Sequence, residues 1–154
     1  MAADRSACLQ APALFAWLAM ESPGSAIERT RRNGHWFLKP YTDFRSAGAL
    51  ETPLSEYGCQ GLELDFVGLC WGGDLIWRDG GWLPRKMSAP PWQILRDDGK
   101  RRLRLNAYRV LLTRSRAGTV IFVPKGSEDD PTRSPGELAE TTNVLLALGC
   151  ASLA

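Results

Sequence analysis

Two short stretches carry side chains suited to handling a nucleotide. The first is Gln60-Gly61-Leu62-Glu63, at the start of a long apolar run. Its glycine lets the backbone approach a ligand closely or take a dihedral other residues avoid, and Glu63 is an acceptor-rich group just beyond it. The second is Tyr108-Arg109-Val110-Leu111-Leu112-Thr113-Arg114. Its arginines are permanently charged, planar donors of the kind that suits a phosphate. Taken alone, these residues also fit a plain alternative: Gly61 makes a turn, Glu63 is solvated, and Arg114 is an exposed helix arginine. Arg109 and Arg114 lie about 140° apart around a helix axis, so they should not both serve one phosphate.

Other chemistry is missing. A phosphate-gripping G-x-x-x-x-G-K-[ST] loop is not found: the one Gly-Lys pair, Gly99-Lys100, precedes Arg101 and lacks the upstream glycine. No acidic pair after an apolar strand reads as a magnesium motif. The cysteines at 8, 59, 70 and 150 form no C-x-x-C pair and His35 has no cysteine nearby, so no metal site is expected. Reduced thiols in a cytoplasmic protein are the expectation.

The elements that must position these residues come next. At 154 residues, with 44% apolar and 23% charged side chains, the chain fits one α/β domain with a buried core. A net charge of +2 and a pI near 8.4 neither require nor exclude nucleic acid. Residues 62–71, LELDFVGLCW, predict a strand buried on both faces, as in a parallel sheet. Residues 74–87 predict a hairpin turning at Asp79-Gly80-Gly81, and the charged stretch to 104 a surface segment. Asn106 and Gly118 bracket a predicted helix, followed by the strand TVIFVP (119–124). The last helix starts at Ser134-Pro135-Gly136-Glu137 and runs to Gly149.

Residues 1–34 are expected to form an N-terminal helix over 11–20 and a connection. The run APALFAWLAM has a crude signal-peptide outline, but Asp4, Pro12 and Glu21 argue against it. Nothing approaches the ~20 apolar residues of a membrane span, and no membrane partner is expected. HWFLK (35–39) reads as a strand stopped by Pro40.

The two chemical stretches resemble motifs V and VI of superfamily 1 helicases. With Ser55 to Asp65, Tyr108 to Arg114, FRS (44–46) and VIFVP (120–124), the wording most closely resembles the Schlafen group-3-like DNA/RNA helicase family over residues 36–149. The resemblance implies a partial RecA-like (P-loop NTPase-type) domain at 35–154: a mostly parallel sheet with flanking helices and a Trp-rich insertion at about 73–104. It implies that Gln60, Gly61, Glu63 and Arg114 bind the nucleotide, with Glu63 facing the sugar. Arg114 is the implied catalytic arginine, directed at the γ-phosphate, and Ser55 contacts the nucleic-acid backbone.

The resemblance further implies the second motor domain of an ATP-dependent helicase, completed by a first, N-terminal ATPase domain on another chain or lost. ATP and Mg2+ are then cofactors of the complete motor only, with neither bound nor ATP hydrolysed by this chain alone. DNA or RNA is the expected partner. The alternatives are a non-catalytic nucleic-acid-binding or interaction protein, and a non-functional helicase fragment. Tryptophans 71, 77, 82 and 92 could stack on bases, although packing a hairpin is the preferred role. The basic groups at 29–32 and 100–104 could bind phosphates, but a solvated face is the commoner outcome.

Overall fold

The structure is a computed structural model that describes residues 15–19, 34–36, 38–49, 54–55, 58–59, 61–88 and 92–153, with backbone alone for 15–19 and 54–55. The chain divides into two compact units. One comprises Met1–Cys70 and Val110–Ile121, the other Trp71–Arg109 and Phe122–Ala154.

The first unit holds a parallel sheet. Its strands are β1 (Phe15–Ala19), β2 (Leu54–Ser55), β3 (Leu64–Cys70) and β7 (Ser115–Phe122), in the order β2-β1-β3-β7. β1 pairs in parallel with both β2 and β3. β3 and β7 also run in the same direction. The Leu64 amide donates to the Arg114 carbonyl at 3.0 Å where they begin, and the Trp71 amide donates to Phe122 at 2.8 Å where they end. Leu64, Val67 and Leu69 are buried, as the apolar run predicts, whereas Phe66 is 42% exposed. Burial on both faces therefore holds for most of β3 and fails at Phe66. Gly118 lies on that open face, where a Cβ would meet the Phe66 ring at 3.4 Å.

The second unit is built on a three-stranded antiparallel sheet, β4 (Leu75–Arg78), β5 (Gly81–Met87) and β6 (Trp92–Ile94). The predicted hairpin forms, with Asp79 at φ 51° and Gly80 at φ 77°, the left-handed pair that a two-residue turn requires. This sheet is separate from the parallel one, so the insertion does not continue it. The last helix, α2 (Pro135–Ala147), buries Leu138, Thr141 and Leu145. Ser134 precedes it as the cap residue, but its side chain makes no capping bond. Gly149 at φ 103° ends it, with the Cys150 amide donating to Leu145 and the Gly149 amide to Leu146, a Schellman closure.

Three predicted elements are corrected. Residues 15–19 form strand β1 and not part of a helix. A short all-apolar run between parallel partners cannot be told from a helix by periodicity alone. Residues 34–36 and 38 are helical and not a strand. The Lys39 amide donates to the His35 carbonyl at 3.1 Å, and Pro40 follows where a helix would stop. The helix expected at 106–117 is α1, Asp98–Leu112. Its cap is Asp97, whose carboxylate accepts the Lys100 amide at 2.9 Å. The lysine and arginines after it are good helix formers, so the charged stretch starts a helix. Ser115–Gly118 then belong to β7. None of the described helices is long and apolar enough to cross a membrane.

Candidate functional site

The N-terminal ends of β3 and β7 lie side by side, and both chemical stretches arrive there. The approach to β3 is a turn in which the Leu62 amide donates to the Cys59 carbonyl at 3.1 Å. Cys59 is fully buried and anchors it. Gly61 has φ 80°, so its unusual dihedral is what the backbone uses. The Leu64 amide then donates to the Arg114 carbonyl, which ties the residue after Glu63 to Arg114.

The approach to β7 is the end of α1. The Thr113 and Arg114 amides donate to Val110 and Leu111, three residues back, which tightens the last turn. Buried Leu111 holds this end in the core. Arg114 directs one guanidinium nitrogen to the Leu62 carbonyl at 3.2 Å. Its Nε is buried without a hydrogen-bond partner, and none of the ion pairs among the described residues involves it. Glu63 is exposed, with Arg116 Nε 3.7 Å from its carboxylate.

Glu63 and Arg114 thus lie at adjoining strand starts, at the N-terminal end of the sheet: each residue immediately precedes its own strand, and parallel pairing sets the two starts beside each other. Gln60 lies outside the described residues. Ser55 is in β2, and its pairing with Ala19 sets it level with the far end of β3, roughly 20 Å along the strands from Glu63. Arg109 is exposed on α1, 3.4 Å from the Asn106 side-chain oxygen. The Leu62 carbonyl and Arg116 were not legible as site groups. A carbonyl has no side-chain signal, and Arg116 comes beside Glu63 only once 115–122 is known to be a strand paired with β3.

The second unit spends its charges on one another. Asp74 is 6% exposed and accepts from Arg104 at 2.6 Å and from the Tyr108 hydroxyl at 2.7 Å. The Tyr108 hydroxyl in turn accepts the Gly72 amide at 3.3 Å. Burial, then the neighbouring Asp74 charge and its hydrogen bond, push the Tyr108 phenol well above its usual range. Arg85, also 6% exposed, donates to the Gly73 carbonyl and to Glu137, each at 2.8 Å. Arg78 reaches the other Glu137 oxygen. The tryptophans pack as preferred: Trp71 is buried, donates to Leu75 at 2.7 Å and stacks near Tyr108 and Trp82. Trp77 meets Trp82 edge-on, and Trp92 donates to Thr132 beneath the Arg85 guanidinium. Of the basic group at 100–104, Arg104 is taken by Asp74, while 29–32 lie outside the described residues.

In the upstream FRS segment, Arg45 binds the Asp43 carboxylate at 2.8 and 2.6 Å. These bonds hold the Asp43 carboxyl well below the usual range. Ser46 is buried and accepts the Ala49 amide at 3.2 Å.

A parallel α/β layer with two motif-bearing turns at adjoining strand starts defines the class. The chain matches the family model for the Schlafen group 3 DNA/RNA helicase domain over residues 7–125, well over half its length, and belongs to that family. No curated protein and no solved structure matches it.

Proposed function

We propose that this chain is the second, RecA-like motor domain of an ATP-dependent DNA/RNA helicase, supplying Arg114 and Glu63 to ATP held by a first domain. The observation that carries this reading is the pairing of Glu63 and Arg114 at adjoining strand starts, with Arg114 unneutralised by any carboxylate among the described residues. In hydrolysis, water attacks the γ-phosphorus, the bond to ADP breaks, and charge shifts across the phosphate oxygens. A fixed, unneutralised guanidinium stabilises that charge where it develops. Glu63 offers its carboxylate to a sugar hydroxyl and so orients the nucleotide. Gln60 and Gly61 are further candidate nucleotide contacts, and Ser55 is the candidate contact to the nucleic-acid backbone.

The phosphate loop is absent from the sequence, and among the described residues no group of three His, Cys, Asp or Glu side chains could hold a metal ion. The β- and γ-phosphates and Mg2+ are therefore assigned to the first domain. The chain alone should release no phosphate from ATP. Mixed with the product of a neighbouring frame that carries a G-x-x-x-x-G-K-[ST] loop, it should complete an ATPase. Arg114→Lys should then lose most turnover while nucleotide affinity changes less. Turnover that survives Arg114→Lys, or steady hydrolysis by the chain alone that Arg114→Ala abolishes, would overturn the reading.

A further inference from the structure

Among the described residues, Arg114 Nε is the only buried side-chain nitrogen or oxygen without a hydrogen-bond partner. An unmade bond of this kind costs free energy, so something must hold the side chain there. The holding contact is on another corner of the same guanidinium, where Nη1 donates to the Leu62 carbonyl at 3.2 Å. That carbonyl belongs to the residue whose amide closes the turn Cys59–Leu62 by donating to the Cys59 carbonyl, and Cys59 is fully buried. Gly61, third in the turn, has φ 80°, a left-handed dihedral that side chains with a Cβ avoid. A Cβ built on Gly61 meets nothing within 4 Å. Glycine is needed here for its dihedral and not to make room.

We infer that the Cys59–Leu62 turn is a positioning device for Arg114. Gly61 sets the turn, the turn aims the Leu62 carbonyl, and the carbonyl fixes the guanidinium plane. Gly61 and Leu62 are positioning residues in this scheme. A neutral carbonyl orients the cation without cancelling its charge, which a carboxylate in the same place would do. The catalytic meaning of the device rests on the role proposed for Arg114; the placement itself does not.

The test follows arginine Nε–H exchange in the nitrogen-15-labelled chain. Besides the buried Arg85 Nε–H, which donates to the Gly73 carbonyl, a slowly exchanging signal should be present that vanishes in Arg114→Lys. It should persist in Gly61→Asn, because asparagine tolerates the left-handed region. In Gly61→Val, where that region is a severe outlier, exchange should be at least about tenfold faster, with Gly61→Ala between the two. If the valine variant fails to fold by circular dichroism, the alanine–asparagine comparison decides. Equal protection in the folded variants, or no slow signal assignable to Arg114, overturns the inference.

In the completed motor, Gly61→Val should lower kcat by roughly tenfold with a smaller change in KM. If Arg114→Lys abolishes turnover while Gly61→Val leaves it intact, this inference fails and the proposed function stands. If turnover survives Arg114→Lys, the proposed function fails and the exchange experiment still decides the placement.

Discussion

Arg85 and Arg104, in the unit built on the antiparallel sheet, end on carboxylates: Arg85 on Glu137 at 2.8 Å, Arg104 on Asp74 at 2.6 Å. Arg114, in the unit built on the parallel sheet, ends on a main-chain carbonyl and leaves its Nε unsatisfied. Burying a charge is costly unless it is paired, and Arg85 and Arg104 in the antiparallel-sheet unit obey that rule. Arg114 in the parallel-sheet unit departs from it, and local departures of this kind concentrate where a protein does chemistry. The contrast separates arginines paired with carboxylates from one that, among the described residues, has no carboxylate partner, and it can be tested on stability alone.

The largest effect should come from the most enclosed carboxylate. Asp74→Ala leaves Arg104 and the Tyr108 hydroxyl without their acceptor, and should cost about 3 kcal/mol, read as a shift in the urea midpoint. Arg85→Met comes next. It removes the bonds to Gly73 and Glu137 and the cation over Trp92, and should cost roughly 2 kcal/mol by the same measure.

Tyr108→Phe should cost about 1 kcal/mol, and its pH dependence sharpens the comparison. The folded state raises the Tyr108 pKa, so this group's contribution is complete below the unfolded value near 10 and declines as pH rises beyond it. The gap between wild type and Tyr108→Phe should therefore shrink above about pH 10. A gap that stays constant into strong alkali would contradict the buried, Asp74-bound phenol.

The smallest effects belong to the other unit. Arg114→Met gives up one carbonyl bond and removes an unsatisfied donor, so it should stay within about 1 kcal/mol of wild type in either direction. Glu63→Gln should change stability by less than about 0.5 kcal/mol. A loss at Arg114 as large as that at Arg85 would break the comparison and make Arg114 a structural residue.

Sequence by itself determined the pieces whose signal is local. The apolar run 62–71 reads as a buried parallel strand because its hydrophobicity is nearly continuous, and strand β3 occupies Leu64–Cys70 of it. Asp79-Gly80 reads as a hairpin turn because it must take positive φ. Pro135 and Gly149 bracket the last helix because one suits a helix start and the other a left-handed stop. The residue types at Glu63 and Arg114 were visible too, as was the absence of a phosphate loop. Tertiary structure alone decided the rest. Residues 15–19 are a strand because β2 and β3 flank them, a partnership no single segment announces. The helix ends at 112, and 115–118 extend β7 because pairing with β3 outweighs the glycine stop signal at Gly118. That pairing sets the starts of β3 and β7 side by side, and with them Glu63 and Arg114. The Leu62 carbonyl meets Arg114 across 52 residues of sequence. Such a contact depends on strand register and a main-chain dihedral, which side-chain identities encode only through the folded chain.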